Sequence, residues 1–321
     1  MTIKIIGTGV GHPKRRVSND ELAAITGLET SDEWIRTRTG IESRLICTDE
    51  TLTDLSTTAA KQALANAKLG ADKLDYLIAA TFAGDNSTPA LACMVAENLD
   101  VECPAVDVNG ACVGFIYALD YAAALIAAGR AKNILIVCAE KMSAHVDFTD
   151  RSTCVLFGDG AAAVVVTEGK GLEYINLGSV PDSHSLSLPN RMTGNNPLAV
   201  GAEAEPILYM DGRAVFKFAV NITQQEVTRA LDGLHLTPDD VDLYLLHQAN
   251  GRIIDSAIQH LGISPDKFPR IVQNYGNISA ASIPTLLHEL VEQGAIKSGQ
   301  RLLLCAFGAG LTYGTCVMTW E

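Results

Sequence analysis

Three residues of chemically versatile type stand where an apolar run gives way to a turn or helix. Cys112 lies in VDVNGACVGFIYALD, where the strand-like AVDV meets an Asn-Gly turn and an alanine-rich helical pattern follows. A thiol at a helix N-terminus meets free backbone N–H groups and the positive end of the helix dipole, which favour the thiolate. That help matters, because a free cysteine with a pKa near ~8.5 is only a few per cent ionised at neutral pH. Gly110, Ala111 and Gly114 are small enough for a substrate to approach closely. His247 ends the run DLYLLH and is followed by Gln-Ala-Asn; Asn277 lies in QNYGNISAASIP, a second strand-turn-helix pattern with Gly276 ahead of it. Taken singly, Cys112 reads equally as a buried cysteine, His247 as a satisfied structural group and Asn277 as a turn residue or helix cap. Taken together, a thiol, an imidazole and an amide suit acyl transfer through a thioester. The thiol carries the acyl group, and the other two donate hydrogen bonds to a developing enolate or oxyanion, worth roughly 10²–10³ in rate per donor.

An internal repeat brings these residues to corresponding places. Apolar runs of strand length recur: TIKIIGTGV, DYLIAATF, PAVDVN, NILIVCAE and AAAVVVT, then DLYLLHQ, RIVQNY, RLLLCAFG and GTCVMTW. Helical patterns such as LTDLSTTAAKQALANAKLG and ITQQEVTRALDGLHL separate them, which predicts an α/β fold with mostly buried sheets. LGADKLDYLIAA (69–80) aligns with LTPDDVDLYLLH (236–247) at an offset of 167, and AKNILIVCAE (131–140) with GQRLLLCAFG (299–308) at 168. FGDGAAAVVV (157–166) aligns with FGAGLTYGTC (307–316) at 150, leaving about 18 extra residues in the first half near 141–157. Three ordered matches imply two copies of a strand–helix unit packed as pseudo-twofold halves, 1–170 carrying the cysteine and 171–321 the histidine and asparagine. On these offsets His247 takes the place of Ala80, Asn277 that of Gly110 and Ser279 that of Cys112, at strand ends where α/β sheets bind ligands.

Composition narrows the alternatives. Hydrophobic residues make up 48% of the 321 residues and charged ones 19%, enough to build a core and too apolar for extended disorder. At roughly 100–200 residues per domain, the length suits two domains or one large α/β unit. A formal charge of −13 counts against nucleic acid as a partner. The most apolar stretch, 111–129, is broken by Asp120 and rich in alanine and glycine, so it reads as a buried helix and not a membrane span. Near the N-terminus the basic cluster follows the apolar run, the reverse of a signal peptide. Eight cysteines without a CxxC pair fit reduced thiols in the cytoplasm. GAGLTYG (308–314) and FGDGAAA (157–163) lack the ending of a phosphate loop, and the seven dispersed histidines form no HxxxH, so no metal site is expected.

SDEWIRTRTGI (31–41), the Cys112 segment, TDRSTCVLFGDGAAA (149–163), LLHQANGRII (245–254), NYGNISAASIP (274–284) and AFGAGLTYG (306–314) run in order across essentially the whole chain. Together they resemble the β-ketoacyl-ACP synthase III family, the initiating condensing enzymes of type II fatty acid synthesis in the thiolase superfamily. HQAN followed by GNxSAAS is the most specific part of the match. The resemblance implies a thiolase-like five-layered αβαβα sandwich of two duplicated halves, acting as a homodimer. It implies no cofactor beyond the CoA and acyl carrier protein (ACP) substrates. By resemblance, Cys112 takes the acyl group from acyl-CoA, and His247 and Asn277 assist decarboxylation of malonyl-ACP and hold the enolate. Attack on the Cys112 thioester then gives 3-oxoacyl-ACP, CO2 and CoA, with the N–H groups of Cys112 and Gly308 as the oxyanion hole.

Carried over in the same way, Trp34 and Arg38 sandwich the adenine of CoA, with Arg151 as a further contact. Gly212, Phe216 and Asn250 line the pantetheine tunnel, and Lys217 and Arg252 meet the acidic ACP. Three departures bear on specificity. Gln259-His260 stands where the family often carries a lysine pair for ACP. Thr88 lies near the position of a phenylalanine that, in an acetyl-specific member, crosses the dimer interface and blocks the acyl pocket, so a longer acyl group is expected. Thr81-Phe82 replaces the catalytic glutamate of hydroxymethylglutaryl-CoA synthases, which counts against that branch. The nearest alternative is a secondary-metabolic relative with the same three residues, making a polyketide, quinolone or ester. A redox-sensing thiol protein would need a resolving cysteine near Cys112, and the motif offers none. The segment 181–206, rich in Pro, Asn and Ser, is expected to shape the substrate mouth.

Overall fold

A computed structural model describes residues 3–189 and 207–321. The mouth segment expected at 181–206 lies outside the described residues from 190 onward. In chain order the elements that position the site are β1 (Ile3–Gly11), α1 (Asp32–Thr39), α2 (Leu52–Ala67), β2 (Tyr76–Ala80), α3 (Leu91–Leu99), β3 (Ala105–Val108), α4 (Gly114–Ala127), β4 (Asn133–Lys141), β5 (Asp159–Glu168) and β6 (Leu172–Asp182). They continue with α5 (Gly212–Leu234), β7 (Leu243–Leu246), α6 (Gly251–Leu261), α7 (Ser282–Glu292), β8 (Arg301–Gly308) and β9 (Gly310–Thr319).

The first sheet has the order β1-β5-β4-β2-β3 and the second β6-β9-β8-β7, which is the same path with its last strand missing. β4 pairs in parallel with β2 and antiparallel with β5, just as β8 pairs in parallel with β7 and antiparallel with β9. The missing strand was expected from RIVQNY, but Val272–Tyr275 is a short helix. Its cause is visible: the Gln248 carboxamide oxygen takes the backbone N–H groups of Ile271 and Val272, donors a strand would have spent on its neighbour. Register also refines the repeat. Residues 142–158 join β4 to β5, whereas Ala309 alone joins β8 to β9, so the first half carries 16 extra residues and not about 18. The strand β6, its pattern mostly half-buried, carries too little alternation to be picked out by apolar runs.

Strand alternation builds the layers. In β4, Ile134, Ile136 and Cys138 face one core while Leu135, Val137 and Ala139 face another. The first of these cores is filled by α4 and α7, which lie between the two sheets. The second packs α2 and α3 on the outer face of the first sheet, and a third packs α5 and α6 on the outer face of the second. The result is the five-layered αβαβα arrangement that the resemblance implies. Its inner layer is tight: a Cβ on Gly114 would lie 3.1 Å from the Ala80 side chain and 3.3 Å from that of Ala280. Among the described residues, no helix is long and apolar enough to cross a membrane.

Candidate active site

Both inner helices are entered through the same kind of turn. Before α4, the Asn109 carboxamide oxygen accepts the Ala111 N–H at 3.2 Å; before α7, that of Asn277 accepts the Ser279 N–H at 2.9 Å. Ala111 (φ 46°) and Ser279 (φ 50°) are both in the left-handed region, a conformation side chains other than glycine adopt rarely. The offset here is therefore 168, one more than expected. Asn277 is equivalent to Asn109 and not Gly110, Ser279 to Ala111 and not Cys112, and Cys112 to Ala280. His247 does stand opposite Ala80, since β2 pairs with β4 as β7 pairs with β8.

Cys112, His247, Asn277 and Gly308 converge on a cavity of about 1340 Å³. Gly308 must lack a side chain, because a Cβ there would sit 2.9 Å from the Cys112 nitrogen. This brings the two backbones of the expected oxyanion hole side by side. Asn277 is held by backbone bonds to Leu156 and Gly158 and spends its carboxamide oxygen on Ser279, leaving the NH2 group to face the cavity. His247, 2% exposed, bonds through Nδ1 to Ser282 Oγ at 2.7 Å and stands edge-on to Phe307 at 5.3 Å. Burial lowers its pKa to about 3, so the imidazole is neutral and acts as a hydrogen-bonding group, not as a cation.

Burial works against the thiolate expected at Cys112. Burial pushes the Cys112 thiol up to about 12; the hydrogen bond from Ser279 works against this, and the nearby Glu140 carboxyl works with it. A helix N-terminus supplies ~0.3–1 kcal/mol at an exposed site, too little to outweigh the removal of a thiolate from water. Glu140 is itself fully buried, with the hydroxyls of Thr81 and Ser279 at 3.3 and 3.4 Å, and burial raises its pKa well above the usual carboxylate range. Ser282 and Glu140 were not singled out from the sequence, and Ser279 was named only as a repeat counterpart. Isolated Ser and Glu residues carry no pattern, although both serines lie within the SAAS part of the motif.

The remaining residues spread along the cavity. Trp34, Arg38, Arg151, Gly212, Phe216, Asn250 and Arg252 line it; Lys217 and Thr88 do not, whereas Ser87 does. Trp34 sits on α1 with both guanidiniums on its ring, Arg38 at 4.5 Å and Arg151 at 4.4 Å. An aromatic ring inserted between two such planes needs them about 7 Å apart, twice a carbon–carbon contact distance, so the expected adenine sandwich is closed as the arginines stand. Asn250 caps α6 by accepting the Arg252 N–H at 2.9 Å, and the Arg252 guanidinium lies over the Phe216 ring at 5.6 Å. Among the described residues, no cluster of His, Cys, Asp or Glu could hold a metal.

Comparison with known proteins shows the family of the chain. The family model for 3-oxoacyl-[acyl-carrier-protein (ACP)] synthase III matches residues 106–180, and that for its C-terminal part matches 231–320. A relative from Clostridium perfringens named beta-ketoacyl-[acyl-carrier-protein] synthase III is 43% identical over 320 residues, covering 98% of each chain. The chain belongs to the β-ketoacyl-ACP synthase III family. As a member it has the family's thiolase-like fold. The crystal structure of 3-oxoacyl-[acyl-carrier-protein] synthase III from Aquifex aeolicus superposes with a TM-score of 0.91 at 42% identity, covering 99% of this chain and 100% of that one. The priming β-ketosynthase of the R1128 polyketide pathway superposes with a TM-score of 0.92 at 33% identity, covering 99% of this chain and 96% of that one.

Proposed function

We propose that this enzyme condenses an acyl-CoA with malonyl-ACP to give 3-oxoacyl-ACP, CO2 and CoA, starting fatty acid synthesis. The observation that carries the reading is the meeting of Cys112, His247, Asn277 and Gly308 at one cavity in a chain of this family. In the first half-reaction the Cys112 sulfur attacks the acyl-CoA carbonyl, and its proton leaves with the CoA sulfur as free thiol. The N–H groups of Cys112 and Gly308 hold the oxyanion. Because the thiol is pushed up, its proton departs as the substrate arrives and not before. In the second, malonyl-ACP loses CO2, and the electron pair of the broken C–C bond becomes an enolate held by the His247 imidazole and the Asn277 amide. The enolate carbon attacks the Cys112 thioester, and the expelled sulfur takes up a proton from solvent. Electrons move in pairs throughout, so the two half-reactions balance with the substrates and a solvent proton and need no redox group.

Trp34, Arg38 and Arg151 would hold the CoA nucleotide, Gly212, Phe216 and Asn250 the pantetheine arm, and Lys217 and Arg252 the ACP. We place the enzyme in the cytoplasm as a homodimer, its halves meeting near residue 170, and give it no nucleic-acid partner. All eight cysteines are free thiols, in keeping with that compartment. Thr88, off this protomer's cavity wall, acts on acyl length only across the dimer interface; its small size favours groups longer than acetyl. The likeness to a polyketide-priming synthase, together with Gln259-His260, supports a second reading in which the acceptor belongs to secondary metabolism. Intact-protein mass spectrometry separates them. Acetyl- to decanoyl-CoA should each be tested on wild type and Cys112→Ala, followed by malonyl-ACP. An acyl mass on wild type alone, discharged by malonyl-ACP, is the expected result. An adduct that malonyl-ACP leaves in place would move the enzyme to the second reading, and no adduct with any acyl-CoA would overturn both.

A further inference from the structure

We infer that Ser282 is a positioning residue that makes His247 a hydrogen-bond donor into the cavity by fixing its proton on Nε2. The inference rests on the condensation reading for its catalytic meaning, but its structural basis does not. One hydrogen is shared between His247 Nδ1 and Ser282 Oγ, which are 2.7 Å apart. Ser282 Oγ already accepts the Gln248 N–H at 3.4 Å, and the serine is 1% exposed. If Nδ1 carried the proton, the serine oxygen would accept twice and its own O–H would be buried without an acceptor, at a cost of about 1–3 kcal/mol. With the hydroxyl donating to Nδ1, every group is satisfied, and the neutral ring has its N–H on Nε2. That is the nitrogen left for the cavity that His247 lines, whereas Ser282 does not line it.

The repeat supplies an independent observation. Ser282 opens α7 as Gly114 opens α4, and His247 ends its strand run where Ala80 ends β2. A Cβ at Gly114 would lie 3.1 Å from the Ala80 side chain, so the first half brings the same two positions into contact with no polar group on either. The second half has a histidine and a serine in that contact, hydrogen-bonded to each other. The serine has no other polar side-chain partner recorded among the described residues. Gln248 steadies the pair: its NH2 donates to the Leu246 carbonyl at 2.7 Å, and its oxygen holds the chain at Ile271 and Val272.

The test has two arms on the full-length enzyme. Nitrogen-15 NMR of histidine-labelled protein, with His247 assigned by its loss in His247→Ala, should show the proton on Nε2 in wild type and a mixture of tautomers in Ser282→Ala. A wild-type His247 protonated on Nδ1 would overturn the inference whatever the variants do. In the second arm, Ser282→Ala should lower malonyl-ACP decarboxylation about tenfold to a hundredfold, below the full loss of a donor. It should leave acylation of Cys112 by acyl-CoA within about twofold, and Ser282→Thr should restore most of the decarboxylation. Equal decarboxylation in a Ser282→Ala enzyme of unchanged Tm would also overturn the inference. A wild-type enzyme that never decarboxylates malonyl-ACP would instead sink the condensation reading, and the NMR arm would still decide the role of Ser282.

Discussion

The turn that enters α4 and the turn that enters α7 share a backbone and differ in what they do. Each begins with an asparagine that folds back on the N–H two residues ahead, passes through a left-handed residue and enters its helix three residues later. In the first, the reactive group is carried by the turn itself: Cys112 faces the cavity, whereas its counterpart Ala280 is 1% exposed. In the second, the turn supplies Asn277 and, through Ser282, orients a histidine lent by the neighbouring strand. A duplicated turn thus sets where side chains stand, and the residues that differ between the copies set what each presents to the cavity, a thiol in the first and an amide and imidazole in the second.

The largest expected effect tests that division directly. Cys112→Ala should reduce condensation by on the order of a thousandfold or more. Adding Ala280→Cys should restore neither the acyl adduct nor turnover, as read by intact mass and product formation; an adduct at residue 280 would mean the two turns are interchangeable. Next come the two asparagines. Asn277→Ala should lower malonyl-ACP decarboxylation about 10²–10³-fold, while Asn109→Ala, at a residue that also lines the cavity but spends its carboxamide oxygen on the Ala111 N–H, should stay within about threefold and show mainly a lower Tm. Equal losses in both would place the asparagine effect in turn geometry and not in the enolate.

The state of the thiol gives a third, smaller effect. With Cys112 pushed up to about 12, the thiolate fraction grows tenfold with each pH unit below that value, so iodoacetamide alkylation of Cys112 should keep rising about tenfold per unit from pH 7 to 10. Peptide-resolved mass spectrometry distinguishes it from the exposed Cys93. A plateau near pH 8 would show that the helix N-terminus outweighs burial. The smallest effect lies at the far end of the cavity. Trp34→Ala removes the surface on which Arg38 and Arg151 stack, and should raise KM for the CoA ester severalfold with kcat little changed.

Much of the architecture was legible because it follows from period and repetition. The apolar runs of strand length, such as NILIVCAE, and the matched offsets predicted buried sheets in two duplicated halves, and two such sheets are present. Several details escaped, two of them for reasons the structure makes plain. The strand expected at RIVQNY failed because Gln248, more than 20 residues earlier, captures its N–H groups. The turn alignment slipped by one residue because sequence offsets cannot show that Ala111 and Ser279 share a left-handed backbone.

The sequence by itself determined the fold class, the family and the three residues that meet at the cavity, because motif order and residue type survive without coordinates. Tertiary structure alone decided their chemical states. A helix N-terminus argues for a thiolate, yet burial keeps the Cys112 thiol protonated, and burial likewise keeps His247 neutral. Desolvation and tautomer depend on what surrounds a group in three dimensions, and those neighbours, Glu140, Ser279 and Ser282, come from positions as much as 167 residues away.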